Sequence, residues 1–203
     1  MRWIFYIGLI ISLYSCGIRT FSYKFSMNES IKPHKLYYEN DTLSISFDFY
    51  VNGILIAFTN KSKEPIKINW DELKMTVNKI EKKIEHMQIR DGEIVVYEPP
   101  SLISPKSSCA DFVVYADNVS LLVTGDGEEE MKVKDMYPRE GKKSTRDSVL
   151  NLIGQRITLL FPIDIKDVSY SRTFNFLLKD VKSTNGAWQV VGALPYFIQF
   201  PTF

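Results

Sequence analysis

Polar and apolar residues alternate with a period of two along much of the chain, the mark of strands with one buried and one wet face. Leu43, Ile45, Phe47 and Phe49 alternate with Ser44, Ser46 and Asp48. The pair Asn52-Gly53 then stands before a second apolar run, Ile54 to Thr59. Asn-Gly tolerates the positive φ of a type I′ turn, so these runs predict a hairpin. After a polar turn at residues 60–65, Ile66 to Trp70 alternates again. Residues 42–70 therefore read as three successive antiparallel strands.

The stretch from Leu73 to Ile89 supports two readings. Ile80, Ile84 and Met87 stand at helical spacing, whereas Met75-Thr76-Val77 and the pair Asn78-Lys79 suit two strands joined by a turn; the strands are favoured. Ile94 to Tyr97 reads as a strand closed by Pro99-Pro100, since proline cannot donate to a ladder. Further strands are expected at 110–116 and 119–124, then two long ones at 156–165 and 171–182. Asn185-Gly186 signals a hairpin into Ala187 to Val191. Acidic residues 125–135 and basic residues 139–146 read as solvated loops, and 150–153 as the start of a short helix or strand. Phe21, Tyr23 and Phe25 also alternate, which suggests an early edge strand. Nine to eleven short strands with frequent turns predict an all-β protein, a two-sheet immunoglobulin-like β-sandwich, with a closed barrel as the alternative.

The N-terminus breaks this pattern. Arg2 is followed by an uncharged apolar run from Trp3 to Leu13, about half of what a bilayer-spanning helix needs. A basic residue before a short apolar run is the layout of a signal peptide. Its end, Leu13-Tyr14-Ser15-Cys16-Gly17, resembles the lipobox of bacterial lipoproteins, in which a Leu stands three before the Cys and a small residue directly before it. The resemblance implies cleavage after Ser15 and a diacylglycerol on the Cys16 thiol. The expected organisation is a signal peptide over 1–15, a lipid anchor and tether over 16–35, and a β-sandwich domain over 36–203.

Composition narrows the function. Of 203 residues, 45% are hydrophobic and 13% aromatic, an ordinary globular balance tilted toward β structure. Removing residues 1–15 leaves 24 basic and 24 acidic side chains, so nothing in the charge suits a nucleic-acid partner. With Cys16 lipidated, Cys109 has no partner for an intramolecular disulfide.

Residues 57–71, Ala-Phe-Thr-Asn60-Lys-Ser62-Lys-Glu-Pro65-Ile-Lys-Ile68-Asn-Trp70-Asp, resemble a group of uncharacterised bacterial envelope lipoproteins. Members share an apolar strand, an Asn-Lys-Ser turn and then Pro-Ile-x-Ile-x-Trp. Ile103-Ser-Pro105-Lys106-Ser107 resembles the group's later Pro-Gly-Ser turn, with Lys106 in the glycine's place. The resemblance spans about 36–116. It implies a β-sandwich and supplies no activity.

Candidate chemistry is sparse. His34 and His86 belong to no metal-ligand spacing and read as lone surface histidines. No nucleophile-elbow, zinc-protease or phosphate-loop motif occurs, and no cofactor is expected. Cys109 reads as a small buried hydrophobe. Asp126, Glu128, Glu129, Glu130 and Asp135 do not follow the EF-hand pattern and read as an acidic turn. Trp70 and Trp188 could stack on sugar, but packing is the favoured role. Asn28, Asn40, Asn60 and Asn118 stand in Asn-x-Ser/Thr triplets, which a lipobox makes irrelevant. Asp41-Thr42-Leu43 and Asp147-Ser148-Val149 resemble a bacterial O-glycosylation signal. The last charge is Lys182, and the uncharged end carries Tyr196, Phe197, Phe200 and Phe203. This segment is expected to close the sandwich's own core, and otherwise to form a partner surface.

The expected function is a membrane-anchored lipoprotein that binds or scaffolds an envelope protein or glycan without catalysis. The alternative is an envelope hydrolase acting on glycan or peptide, its site built from sequence-distant residues. Gly17 is not the Asp that some bacteria use for inner-membrane retention, so the expected place is the outer membrane, facing the periplasm.

Overall fold

The computed structural model describes residues 19–28, 30, 35–90, 93–96, 101–123, 129–141, 143–166 and 168–185. The signal peptide, Cys16, His34, the 187–191 strand and the aromatic end with Tyr196, Phe197, Phe200 and Phe203 lie outside the described residues.

Among the described residues the chain is all-β apart from one helix and two short 3-10 turns. The strands in order are β1 (Arg19–Met27), β2 (Tyr37–Glu39), β3 (Leu43–Phe49), β4 (Ile54–Asn60), β5 (Ile66–Ile68), β6 (Lys74–Val77), β7 (Ile80–Lys82) and β8 (Ile84–Arg90). They continue as β9 (Glu93–Val96), β10 (Ser101–Ile103), β11 (Ser108–Tyr115), β12 (Val119–Val123), β13 (Glu129–Val133) and β14 (Glu140–Gly141). After helix α1 (Lys143–Leu150) come the long strands β15 (Arg156–Ile165) and β16 (Val168–Asn185).

Two antiparallel sheets form a sandwich. The first runs β10-β5-β15-β16-β1-β14, with the β6–β7 hairpin also on β15. The second runs β2-β3-β4-β11-β8-β9. Both sheets have free edges, so the barrel alternative does not hold for the described residues. The core follows from the period of two: Ile45 and Phe47 of β3 and Ile54, Ile56 and Phe58 of β4 face Ile157, Leu159 and Phe161 of β15 and Phe174 and Phe176 of β16. The rings interlock edge to face, as in Phe47 against Phe176 at 4.9 Å and Phe161 against Phe174 at 5.8 Å between centroids. The β12–β13 hairpin covers the outer face of the second sheet, placing Met131 and Val133 against Met87, Phe112 and Val114. On the first sheet, Val149 of α1 packs with Phe21, Leu178 and Val181.

Several expectations are corrected. The tether drawn over 16–35 contains β1, which pairs along its whole length with β16, so the folded unit takes in Arg19 onward. The β3–β4 hairpin forms, yet not by a type I′ turn. Four residues, Tyr50 to Gly53, connect the strands, and neither Asn52 nor Gly53 has positive φ. Gly53 is instead required by close approach: a Cβ there would stand 2.6 Å from the Phe112 ring and 2.7 Å from the Val113 carbonyl oxygen. The type I′ geometry appears at Asn78 (φ 50°) and Lys79 (φ 71°), joining β6 to β7. The acidic segment is not all loop, because residues 129–133 form β13. Nor is the basic segment, which holds β14 and the first half of α1; residues 151–154 are turn rather than the start of an element.

Candidate functional site

The turn after β4 explains the Asn-Lys-Ser motif. Asn60 is buried, and its amide nitrogen donates to the carbonyls of Glu64 (2.7 Å) and Ile103 (3.0 Å). Its amide oxygen accepts from the Ser62 backbone N–H (2.9 Å) and hydroxyl (2.7 Å). The motif is thus a clamp from the β4–β5 turn to β10. At the second motif, Ser107 N–H donates to the Ser104 carbonyl at 3.2 Å and Lys106 has φ 59°. A proline followed by a left-handed residue is a type II turn. Lys106 occupies the position that glycine suits, and its ammonium donates to the Lys61 carbonyl.

Beside this clamp lies a buried polar cluster that bridges the sheets. Trp70, in the turn after β5, donates its indole N–H to the Ser101 hydroxyl at 2.8 Å. Ser101, opening β10, donates to Asp111 Oδ2 at 3.0 Å. His86 Nε2 stands 3.4 Å from Asp111 Oδ1, and its ring stacks on Trp70 at 4.0 Å and 8°. His86 and Asp111 meet because β8 and β11 pair with His86 opposite Val113, two positions along from Asp111 on the same face. Asp111 is 1% exposed, Ser101 5%, Trp70 6% and His86 8%. His86 is therefore a core residue rather than a surface one, and Trp70 cannot serve as a sugar platform.

Serine, histidine and aspartate here do not form a hydrolytic triad. In a triad the imidazole stands between serine and carboxylate, taking the serine proton while the carboxylate orients it. In this cluster the carboxylate stands between the other two, and Ser101 directs its proton to Asp111. Burial on all sides also keeps a substrate away. The chemistry available is structural: two sheets held in register through the buried hydrogen bonds from Trp70 to Ser101 and from Ser101 to Asp111.

The remaining sequence candidates fall separately. Cys109 is half-buried against the core, and burial, then the Asp111 charge, push its thiol up to about 12, so it is protonated at neutral pH. Asp135 pairs with Arg139 at 3.1 Å. Among the described residues no three His, Cys, Asp or Glu side chains converge as a metal site would need. Asn40 Oδ1 accepts the N–H groups of Thr42 (2.9 Å) and Leu43 (2.8 Å), and Asn118 donates to the Lys134 and Asp135 carbonyls. These asparagines shape turns. A tyrosine group joins β1 to the segment before β14: Tyr23 donates to the Pro138 carbonyl, and Tyr137 to Gln155 Oε1 at 2.8 Å.

Two exposed apolar sites stand out that the sequence pattern did not single out. At the turn joining β15 to β16, Val168 is 50% exposed and Tyr170 54%, and on β10 Leu102 is 69% exposed. Leu102 shares a cross-strand row with Lys67, Asp164 and Ser169, which brings it to the same end of the sheet. A shallow cavity of about 750 Å³ lies between Leu102, Lys67, Asp164 and Ser169. Around Tyr170 a second, of about 360 Å³, includes Tyr38 and Arg172, whose guanidinium sits 4.4 Å from the Tyr38 ring centre. Leu102 therefore stands on the Ser169 face of the sheet and Val168 and Tyr170 on the opposite face, so these are two separate exposed apolar sites at one end. Val168 and Tyr170 alternate with Ser169 and Ser171, so periodicity alone would have placed them on a buried face.

Comparison with protein-family models and with curated proteins gives no match. Among solved structures, the GAE domain of GGA2p from Saccharomyces cerevisiae is similar over 73% of this chain and 99% of that one, at 12% identity and a TM-score of 0.29. So slight a likeness carries no inference.

Proposed function

We propose that the chain is a bacterial envelope lipoprotein, cleaved after Ser15, anchored by a diacylglycerol on Cys16, and acting by binding or scaffolding without catalysis. The observation that carries this reading is the spacing at the N-terminus. The lipobox-like Leu13-Tyr14-Ser15-Cys16-Gly17 ends two residues before Arg19, the first residue of β1. Cleavage before Cys16 removes the whole apolar leader and leaves β1 intact. The sandwich, which we take to be of immunoglobulin-like type with chain crossings between its sheets at β4–β5 and β7–β8, is then held at the outer membrane and faces the periplasm. Val168 and Tyr170, exposed on one face of the sheet, supply the surface for an envelope protein or glycan partner. The hydrolase reading loses its best candidate, because Ser101 gives its proton to Asp111 inside the core.

Metabolic labelling with a radioactive fatty acid tests the anchor. Label should enter the wild-type protein and be absent from Cys16→Ala. Label that persists in the variant overturns the assignment. For the binding surface, Tyr170→Ser with Val168→Ser should abolish cross-linking to the envelope partner captured by the wild-type protein while leaving the melting temperature unchanged. Unchanged cross-linking removes these residues from the interface.

A further inference from the structure

On the outer face of the first sheet, three strands set polar side chains in one row. Thr76 of β6 stands opposite Thr158 of β15, and Thr158 opposite Asn175 of β16. Their neighbours Val77, Ile157 and Phe176 turn inward to the core, so this row looks outward. Arg156 lies on the same face, two residues back along β15. Asn78, in the turn after β6, and Asn28, at the end of β1, flank the row. The Asn78 backbone N–H donates to the Arg156 carbonyl at 2.8 Å, and that of Asn28 to the Asn175 carbonyl at 3.3 Å. Together these residues line a cavity of about 770 Å³, the size of a small-molecule site. From β6 through β15 and β16 to β1 it crosses three strand spacings, about 14 Å.

The hydrogen bonds already made decide what this cavity can hold. Asn78 Oδ1 accepts the Arg156 backbone N–H at 2.9 Å, and Asn175 Oδ1 accepts the Thr158 hydroxyl at 2.9 Å. Each amide therefore keeps its NH2 group, a double donor, for a ligand. Arg156 and Lys79, both exposed, add charged donors. Among the described residues no Asp or Glu lines the cavity, and Glu81, opposite Thr76 on β7, stands outside it. A neutral sugar carries a donor on every hydroxyl and needs acceptors, which carboxylates supply best. Donors with two positive charges suit negatively charged, acceptor-rich oxygens instead. The Thr76 and Thr158 oxygens keep lone pairs for a ligand's own hydroxyls, and half-buried Leu177, opposite Arg156, offers an apolar rest for a ring's C–H face. A cavity that crosses three strand spacings is also larger than a single phosphate needs. It stands apart from Val168 and Tyr170. Along the β15–β16 ladder, five residue steps separate the pair Thr158–Asn175 from Ile163–Tyr170, about 17 Å at the rise of an antiparallel strand.

We propose that this cavity binds an acidic glycan, whose carboxylates meet Arg156 and Lys79 while its ring and hydroxyl oxygens accept from Asn78 and Asn175. The site does not depend on lipid at Cys16 and is separate from the partner surface proposed above. Full-length protein in detergent is titrated by calorimetry with trigalacturonate, a hyaluronan tetrasaccharide and α2,8-linked trisialic acid. At least one of these probes should bind. Its methyl ester, which has the same shape without the charge, should bind about tenfold more weakly or worse, the effect of losing a charge-assisted hydrogen bond. Arg156→Gln and Asn175→Asp should weaken the acid probe by a similar factor without moving the melting temperature, since both side chains are exposed and Asp keeps an acceptor for Thr158. Lys132→Gln, on the hairpin that covers the second sheet, should leave binding unchanged. Failure of all the acid probes to bind at millimolar concentration overturns the proposal. So does an equal loss in Lys132→Gln, which would mark attraction to the whole surface rather than to this cavity. Equal affinity for triglutamate would show a general anion site and overturn the glycan assignment.

Discussion

Removing the Ser101 hydroxyl should unsettle the core more than the loss of one small polar atom suggests. Ser101→Ala deletes the acceptor of the Trp70 indole N–H and a donor to Asp111 together, and all three residues are buried. An orphaned buried donor costs about 1–3 kcal/mol, and a bond to a charged acceptor contributes about 1.5–3 kcal/mol. These overlap, because the neighbours relax, so the expected loss is about 2–4 kcal/mol. For a domain of this size that is a fall of about 5–15 °C in Tm. Urea unfolding followed by far-UV circular dichroism measures it without relying on Trp70 as the probe. A double-mutant cycle then isolates the indole bond. In a Trp70→Phe background there is no indole N–H to orphan, so Ser101→Ala should cost less there by about 1–3 kcal/mol. A loss within about 0.5 kcal/mol of zero, the level of an ordinary surface substitution, would show that the hydroxyl contributes little. Equal losses in both backgrounds would show that its bond to Trp70 contributes nothing.

Three further outcomes follow from local geometry. Gly53→Ala should destabilise the fold by about 1–3 kcal/mol, the usual cost of overpacking, because its Cβ would meet the Phe112 ring and the Val113 carbonyl; denaturant midpoints check this. Lys106→Gly should stabilise by about 0.5–1 kcal/mol, since a left-handed conformation costs a side-chain-bearing residue about 1–2 kcal/mol and glycine returns part of that as chain entropy; a melting curve reads the sign. Stability should also fall in alkali. Burial, then Asp135, pushes Tyr23 up to about 12 from 10.0, and burial raises Tyr137 in the same direction. Between pH 10 and about 12 the native state keeps protons that the unfolded chain has lost, so stability is full below pH 10 and declines as pH rises through that window. A melting temperature flat from pH 9.5 to 12 would contradict this.

The strands were legible where apolar and polar residues alternate cleanly, as in β3 and β4, and where turn chemistry was explicit, as at Asn78-Lys79. They were hidden where side chains carry charge. β13 begins Glu129-Glu130, and α1 has Val149 and Leu150 as its sole apolar residues, both in its last turn, so neither shows an apolar face in sequence. The polar cluster was illegible for a different reason. Trp70, His86, Ser101 and Asp111 stand on four segments, and only the β8–β11 register and the crossing between sheets bring them together. Read singly, His86 stands between Glu85 and Met87, with nothing in the sequence to point it inward. The Asn60 clamp could be recognised as a motif, whereas its purpose needed the Ile103 carbonyl from 43 residues away. Gly53 shows the opposite failure: the residue was noticed and the reason assigned to it, a positive φ, was not the operative one.

The most direct test is the mass of the N-terminal peptide of protein extracted with detergent from the membranes of a lipoprotein-processing bacterium. A peptide that begins at Cys16 and carries diacylglycerol on its sulfur is the predicted result. A peptide that begins elsewhere, or an unmodified Cys16, would contradict it.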